Sequence, residues 1–349
     1  MFANWAKGVS KLTSATHMLS NKTTRVILAL IISAILLWLA VRKVDFVSAW
    51  GYAGSFNVGL MLLALSIWLF DYVLRGFRWL IFLNNLHPVR WLESFRVLMI
   101  GFAMNNVLPL RAGEFVRAYL LHRRVPEIST SSAFATVAGE RLFDGIAVTA
   151  FAILGSFSLP LPDWASRAIM VAGVLFAVAF GGFLAMAFYP GHARSMVSLL
   201  SQRLPEGIRD RINRTMSRFI VGLEVLRSKR SIAALLASSL VIWSLEVVFY
   251  YISARSFGIE LSFWNASFVM GILNLAILVP SAPGGIGAVE FAVVQSLLIL
   301  GISESLSFSY ALVSHVITNG SVVLIGFYFL WRIGTKIESG DLRVENEKP

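Results

Sequence analysis

Residues 97–121 read VLMIGFAMNNVLPLRAGEFVRAYLL. The apolar part, Val97 to Leu110, is 14 residues long, about two-thirds of the ~20 residues a helix needs to cross a ~30 Å hydrocarbon core. It ends in Pro109, Leu110, Arg111, Ala112, Gly113 and Glu114 before a second short apolar piece that stops at Leu121. Backbone broken at membrane depth leaves amides and carbonyls without partners, so it is tolerated only inside protein or against a wet cavity. A second stretch has the same form. Trp264 to Val279 runs into Pro280, Ser281, Ala282, Pro283, Gly284, Gly285, Ile286 and Gly287, then resumes with Val289, Glu290 and Phe291 to Gly301.

The rest of the chain supplies the bilayer that gives these breaks their meaning. Of its 349 residues 57% are hydrophobic and 14% charged, where a soluble domain carries about a quarter charged. Val26 to Val41, Val58 to Leu74, Ser131 to Phe157, Ala165 to Tyr189, Ile232 to Phe257 and Phe308 to Trp331 read as full spans. The first follows Lys7, Lys11, Lys22 and Arg25 like a signal peptide but lacks a small-residue cleavage site, and is read as a retained span. With no cysteine, disulfides and thiolate metal sites are excluded. The net charge of +11 fits cytoplasmic loops against anionic lipid, so nucleic acid is not an expected partner.

Loop charge sets the orientation. Residues 1–25 carry four cations and no acid, 75–96 sum to +3, and 190–231 hold nine Lys or Arg against Glu206, Asp210 and Glu224. All three belong inside, while 156–167, 256–264 and 301–307 belong outside. Residues 42–57 fit less well as an external loop, with a balance of +1. Placing 190–231 inside requires the 97–121 segment to enter and leave on one side.

The resulting expectation is an all-α polytopic membrane protein with about six full spans and two re-entrant helical hairpins. Residues 1–349 form one integral membrane domain with pseudo-halves 25–157 and 165–331, a basic cytoplasmic loop at 190–231 and a cytoplasmic tail at 332–349. The halves have matching order and opposite orientation, an inverted repeat of the kind in which two halves rock around a midplane site.

The chemistry-bearing residues gather at or near the breaks. Helix N-termini at the returning pieces suit a phosphate, and Arg111 can add a charge-assisted contact. Asn105, Asn106, Gly284 and Gly285 flank the breaks. Glu114 and Glu290 either cap their own helices or meet substrate. Glu140, Arg141 and Asp144 within one span form either a structural ion pair or cavity contacts, since a lone charge at mid-bilayer costs at least ~2.5 kcal/mol. Glu246 has no helical partner nearer than Arg255 and needs one from another helix. Asp71, Arg75 and Arg78 read as an interfacial network, and His315 with Asn319 as helix packing. No P-loop, H-E-x-x-H, G-x-S-x-G or metal-ligand cluster occurs, so no catalytic residue, cofactor or metal is expected.

The run Asn105 to Glu114, together with Glu140 to Asp144 and Pro280 to Glu290, resembles the blocks of the lysylphosphatidylglycerol synthase transmembrane-region family, the flippase-like part of the multiple peptide resistance factors. The resemblance covers nearly the whole chain. It implies a flippase-like protein of the cell membrane, both termini cytoplasmic, that handles a membrane phospholipid or lipid-linked substrate. The cytosolic aminoacyl-transferase domain of the larger relatives has no counterpart in the ~18 residues after Trp331, which points away from an enzyme. The alternative is a membrane subunit or enzyme that presents a lipid-linked donor, aminoacyl or glycosyl, to a transferase, with a lipid-synthesising enzyme as partner.

Overall fold

The computed structural model describes residues 22–157, 159–279 and 281–338. The cationic segment 1–21, Pro280 and residues 339–349 lie outside the described residues. Thirteen α-helices account for the described chain: α1 (Lys22–Val41), α2 (Phe46–Ser55), α3 (Val58–Leu83), α4 (Trp91–Val107), α5 (Gly113–Arg124), α6 (Thr130–Ser156), α7 (Asp163–Phe188), α8 (Pro190–Ser201), α9 (Glu206–Gly222), α10 (Lys229–Ser256), α11 (Phe263–Ala276), α12 (Ala288–Ile299) and α13 (Glu304–Glu338). Side chains that accept from the first-turn amides fix several of the starts. Asn57 caps α3, Ser129 caps α6, Ser228 caps α10 and Ser262 caps α11, each meeting a backbone donor the helix itself leaves unpaired.

The chain is an all-α polytopic membrane protein. Helices α3, α7, α10 and α13 are long and apolar enough to cross a bilayer, and α1 with α2 makes a fifth candidate if that pair, bent by 88°, is one span. Helix α6 is long enough at 27 residues but carries Glu140, Arg141 and Asp144, which is why apolarity alone does not pick it out. Bilayer exposure is visible in the apolar side chains left outside. Met170, Val174, Leu175 and Val178 of α7 and Ile27, Leu30, Ile31 and Ile35 of α1 are all exposed, a surface that water would not tolerate at this extent.

The segments between and after the spans carry structure of their own. Residues 42–57 are not a plain loop, because Asp45 caps α2 by accepting from Val47 N–H and the Ser48 hydroxyl. This helix leaves Phe46, Val47 and Trp50 exposed. The basic segment 190–231 folds as α8, α9 and a 3₁₀ turn at Glu224–Arg227; α9 packs on α6, where the Ser132 hydroxyl donates to the Arg218 carbonyl at 2.7 Å. Helix α13 runs past Trp331 to Glu338.

Packing positions the site. Helix α3 lies along α10, α4 against α13 and α11 against α6. Helices α4 and α5 pack side by side, as do α11 and α12, so each break turns the chain back on itself. Two apolar clusters form the core, one around Val247, Phe249, Phe268 and Leu297, the other around Trp79, Phe82, Leu98 and Leu121.

Candidate functional site

At the first break, Leu108 leaves the helical region, Pro109 opens a single 3₁₀ turn, and Arg111 sits at φ 54°. It is the one non-glycine residue with positive φ among the described residues, a conformation that costs roughly 1–2 kcal/mol in an L-residue. Gly113 then starts α5 so close to α4 that a Cβ would lie 2.1 Å from the Gly101 carbonyl oxygen and 2.5 Å from Asn105 N. Gly113→Ala is therefore expected to destabilise the chain by ~1–3 kcal/mol through overpacking. A melting curve in detergent unchanged from wild type would contradict this.

The second break uses glycine for conformation: Gly284, Gly285 and Gly287 have φ of 72°, 78° and 86°. Surrounding helices hold it. Ala282 N–H donates to the Ser33 hydroxyl of α1 at 2.6 Å, and Gly287 N–H donates to Glu290 Oε2 at 2.6 Å. From α13, His315 Nδ1 is 2.6 Å from Glu290 Oε1 and Nε2 is 2.9 Å from the Gly284 carbonyl, to which Asn319 donates at 3.0 Å. The two breaks touch, since a Cβ on Gly284 would lie 3.3 Å from the Asn106 carbonyl oxygen.

Between them lies a cavity of about 310 Å³. Asn105, Asn106, Arg111, Arg141, Glu246, Gly284 and Gly285 all line it, so seven of the eleven residues expected from sequence meet in one hollow. Its wall also holds Arg75, Asn274, His315, Asn319 and the aromatic rings of Trp68, Tyr72, Phe102, Trp243, Phe249 and Tyr250. Arg111 makes no hydrogen bond or ion pair with any described residue, and the side-chain oxygen of Asn105 and the indole N–H of Trp68 are buried without partners.

Glu114, Glu140, Asp144 and Glu290 do not line the cavity. Glu290 is spent on Gly287 and His315. The other three belong to a buried ion network beside it. Arg75 bonds Asp71 at 2.5 Å and Glu246 at 2.8 Å, and Asn274 donates to the other Glu246 oxygen at 2.8 Å. Arg78 bonds Asp144 at 2.6 Å and lies 3.6 Å from Glu140; Arg117 bonds Glu140 at 2.6 Å while its guanidinium covers the Trp79 ring at 3.6 Å. Arg141 reaches Glu114 and Asp144, each at 3.4 Å. Asp71, Arg75 and Arg78 are thus buried within the protein. Sequence reading missed Arg78 and Arg117 as partners of Glu140, although two arginines inside apolar helices were the available signal. His315, read as packing, turned out to line the cavity and bridge the second break. Among the described residues no group of three His, Asp or Glu gathers where it could hold a metal ion.

Comparison with known proteins agrees with the fold. The model of a family described as the lysylphosphatidylglycerol synthase TM region matches residues 26–326. Two UPF0104 membrane proteins of Methanothermobacter thermautotrophicus are similar: one is 26% identical over 70% of this chain and 76% of its own length, the other 24% identical over 86% and 90%. Glycosyltransferase AglD of Haloferax volcanii is 24% identical over 88% of this chain, which spans only 54% of AglD. No solved structure matches.

Proposed function

Because the chain belongs to the family of the lysylphosphatidylglycerol synthase TM region, we propose that it is a lipid translocator of the cell membrane, with cytoplasmic termini, admitting a phosphate-bearing headgroup to the cavity between its two breaks. The observation that carries this reading is Arg111: a guanidinium on strained backbone in the wall of a hollow, attracted by the charges of Glu114 and Asp144 but without an ion pair or hydrogen bond to any described residue. Such strain persists where the surroundings impose it, and it clusters at ligand-binding positions. A guanidinium beside a polar cavity that makes no ion pair or hydrogen bond to a described residue suits a planar, bidentate contact to phosphate.

The packing supports an inverted repeat around that cavity. The first helix of each broken pair lies against the last span of the opposite half, α4 on α13 and α11 on α6, while α3 and α10 pair with each other. That exchange is what a two-fold axis in the membrane plane produces, and on this reading α4–α5 and α11–α12 are re-entrant hairpins among about six spans.

The test is transfer of a fluorescent phosphatidylglycerol between leaflets of proteoliposomes, read by dithionite quenching. The wild type is expected to accelerate transfer, and Arg111→Gly to slow it at least tenfold. Glycine at φ 54° relieves strain, so the same variant is expected to melt at or above the wild-type temperature, with up to ~1 kcal/mol gained. Unchanged transfer by Arg111→Gly removes the site assignment. A second reading rests on the similarity to AglD: a membrane part that presents a lipid-linked donor to a transferase. Wild-type protein that moves no lipid yet raises the rate of a partner transferase would favour it.

A further inference from the structure

The ions beside the cavity are not shared out evenly. Arg78, Arg117 and Arg141 balance Glu114, Glu140 and Asp144, to which they are paired. Arg75 differs, because its single guanidinium serves two carboxylates, Asp71 at 2.5 Å and Glu246 at 2.8 Å. That triad carries one negative charge in excess, and Asp71 Oδ1 is buried without a hydrogen bond. The charge that offsets it is Arg111, which lines the same hollow as Arg75 and Glu246. The carboxylates whose charges act on Arg111, Glu114 and Asp144, are already paired with Arg141. These side chains therefore sum to zero only while Arg111 holds no anion.

A phosphate drawn to Arg111 takes up that charge and leaves the triad negative inside the protein, where an uncompensated charge is unfavourable. Two carboxylates on one counter-ion relieve such an excess by sharing a proton. Glu246 is where the proton arrives, since it is the one carboxylate among the described residues that line the cavity. Around it stand Asp71, Tyr72 and Arg75 from α3, Asp144 from α6, Asn274 from α11 and Tyr250 from its own helix. Asp144 is held by Arg78 and the Trp243 indole N–H, and neither phenol carries a charge at neutral pH. His315 of α13 is the competing proton site in the wall, but its two nitrogens are engaged at the second break, Nδ1 by Glu290 and Nε2 by the Gly284 carbonyl and Asn319.

Resting on the translocator reading, we infer that the Asp71–Arg75–Glu246 triad is a proton site: a headgroup phosphate at Arg111 and one proton on the two carboxylates are taken up together, which makes the proton a co-substrate of the lipid.

The test is isothermal titration calorimetry of the whole chain in detergent with dihexanoyl phosphatidylglycerol, run in two buffers of different ionisation enthalpy so that the difference in heat counts protons. The phosphodiester of this probe stays a monoanion, so any proton exchanged belongs to the protein. The wild type is expected to take up about one proton per lipid, and its affinity to fall by up to about tenfold for each unit that the pH rises. Glu246→Gln, whose carboxamide oxygen can still accept from Arg75, is expected to bind without proton uptake and with an affinity that does not change with pH. Asp71→Asn is expected to do the same, because either change leaves Arg75 with a single carboxylate. Wild-type binding without proton uptake would overturn the inference. So would uptake that survives both variants, which would place the proton at His315. No binding at any pH would sink the phosphate reading of the cavity and the inference with it, whereas proton-linked binding without leaflet transfer would sink the translocator alone.

Discussion

Glu140→Ala is expected to lower stability by about 3–5 kcal/mol, the range for removing one partner from a buried charge pair. Glu140 is almost wholly buried, and its carboxylate is the ion-pair partner of Arg117 as well as a neighbour of Arg78. Arg78 keeps Asp144 and Ser239 after the change. Arg117 does not fare so well, since it keeps the face of Trp79 and the more distant charge of Glu114 but no ion pair to a described residue, and a cation over a ring recovers ~2 kcal/mol when desolvated. The contrast that isolates the mechanism is Arg117→Leu combined with Glu140→Leu. Replacing both members by apolar groups leaves no uncompensated charge, so the double variant is expected to melt above Glu140→Ala. Thermal unfolding in detergent reads both, and a Glu140→Ala melt within error of wild type would remove the network from the list of things holding this fold together.

That network also shows where reading a sequence stops. Composition and span length made an α-helical membrane protein plain, because lipid forbids most alternatives. The two breaks were visible for the same reason, since Pro109 and the glycines 284, 285 and 287 stand where an uninterrupted span would have none. Glu246 advertised its need for a partner by having none on its own helix. The identity of that partner, Arg75, lies 171 positions away, and nothing in local periodicity links them. Helical spacing likewise suggested that Glu140, Arg141 and Asp144 neutralise one another, and only the 3.4 Å contact between Arg141 and Asp144 does so. Glu140 instead faces Arg78 and Arg117 from neighbouring helices, a choice made by packing. The same limit applies to counting spans: charge inside α6 hides a helix whose ions are paired across the bundle, and residues 42–57, read as an external loop, hold a helix bent by 88° from α1.

Glu290→Ala is expected to release the second break and to slow lipid transfer at least tenfold, with a stability loss of about 2–6 kcal/mol from two buried groups left unpaired at ~1–3 kcal/mol each. Those groups are the Gly287 N–H and the His315 imidazole. With His315 neutral, Nδ1–H can donate to Glu290 while Nε2 accepts from Asn319 Nδ2, 2.6 Å away, which leaves Nε2 facing the Gly284 carbonyl at 2.9 Å without a proton between them. The Gly284 carbonyl then takes its hydrogen bond from Asn319. Glu290→Gln separates shape from charge. Its carbonyl oxygen can still accept from Gly287 N–H, and its amide would then donate to His315 Nδ1. The ring proton must move to Nε2, where it donates to the Gly284 carbonyl at the existing 2.9 Å distance, and Asn319 must turn its oxygen toward the ring. Glu290→Gln is therefore expected to cost ~1 kcal/mol or less and to reverse the imidazole ¹⁵N shifts of His315 without abolishing transfer. If Gln is as damaging as Ala, the carboxylate acts through its charge and the second break is held electrostatically; if neither variant alters transfer, the break is scaffold and the moving part lies elsewhere.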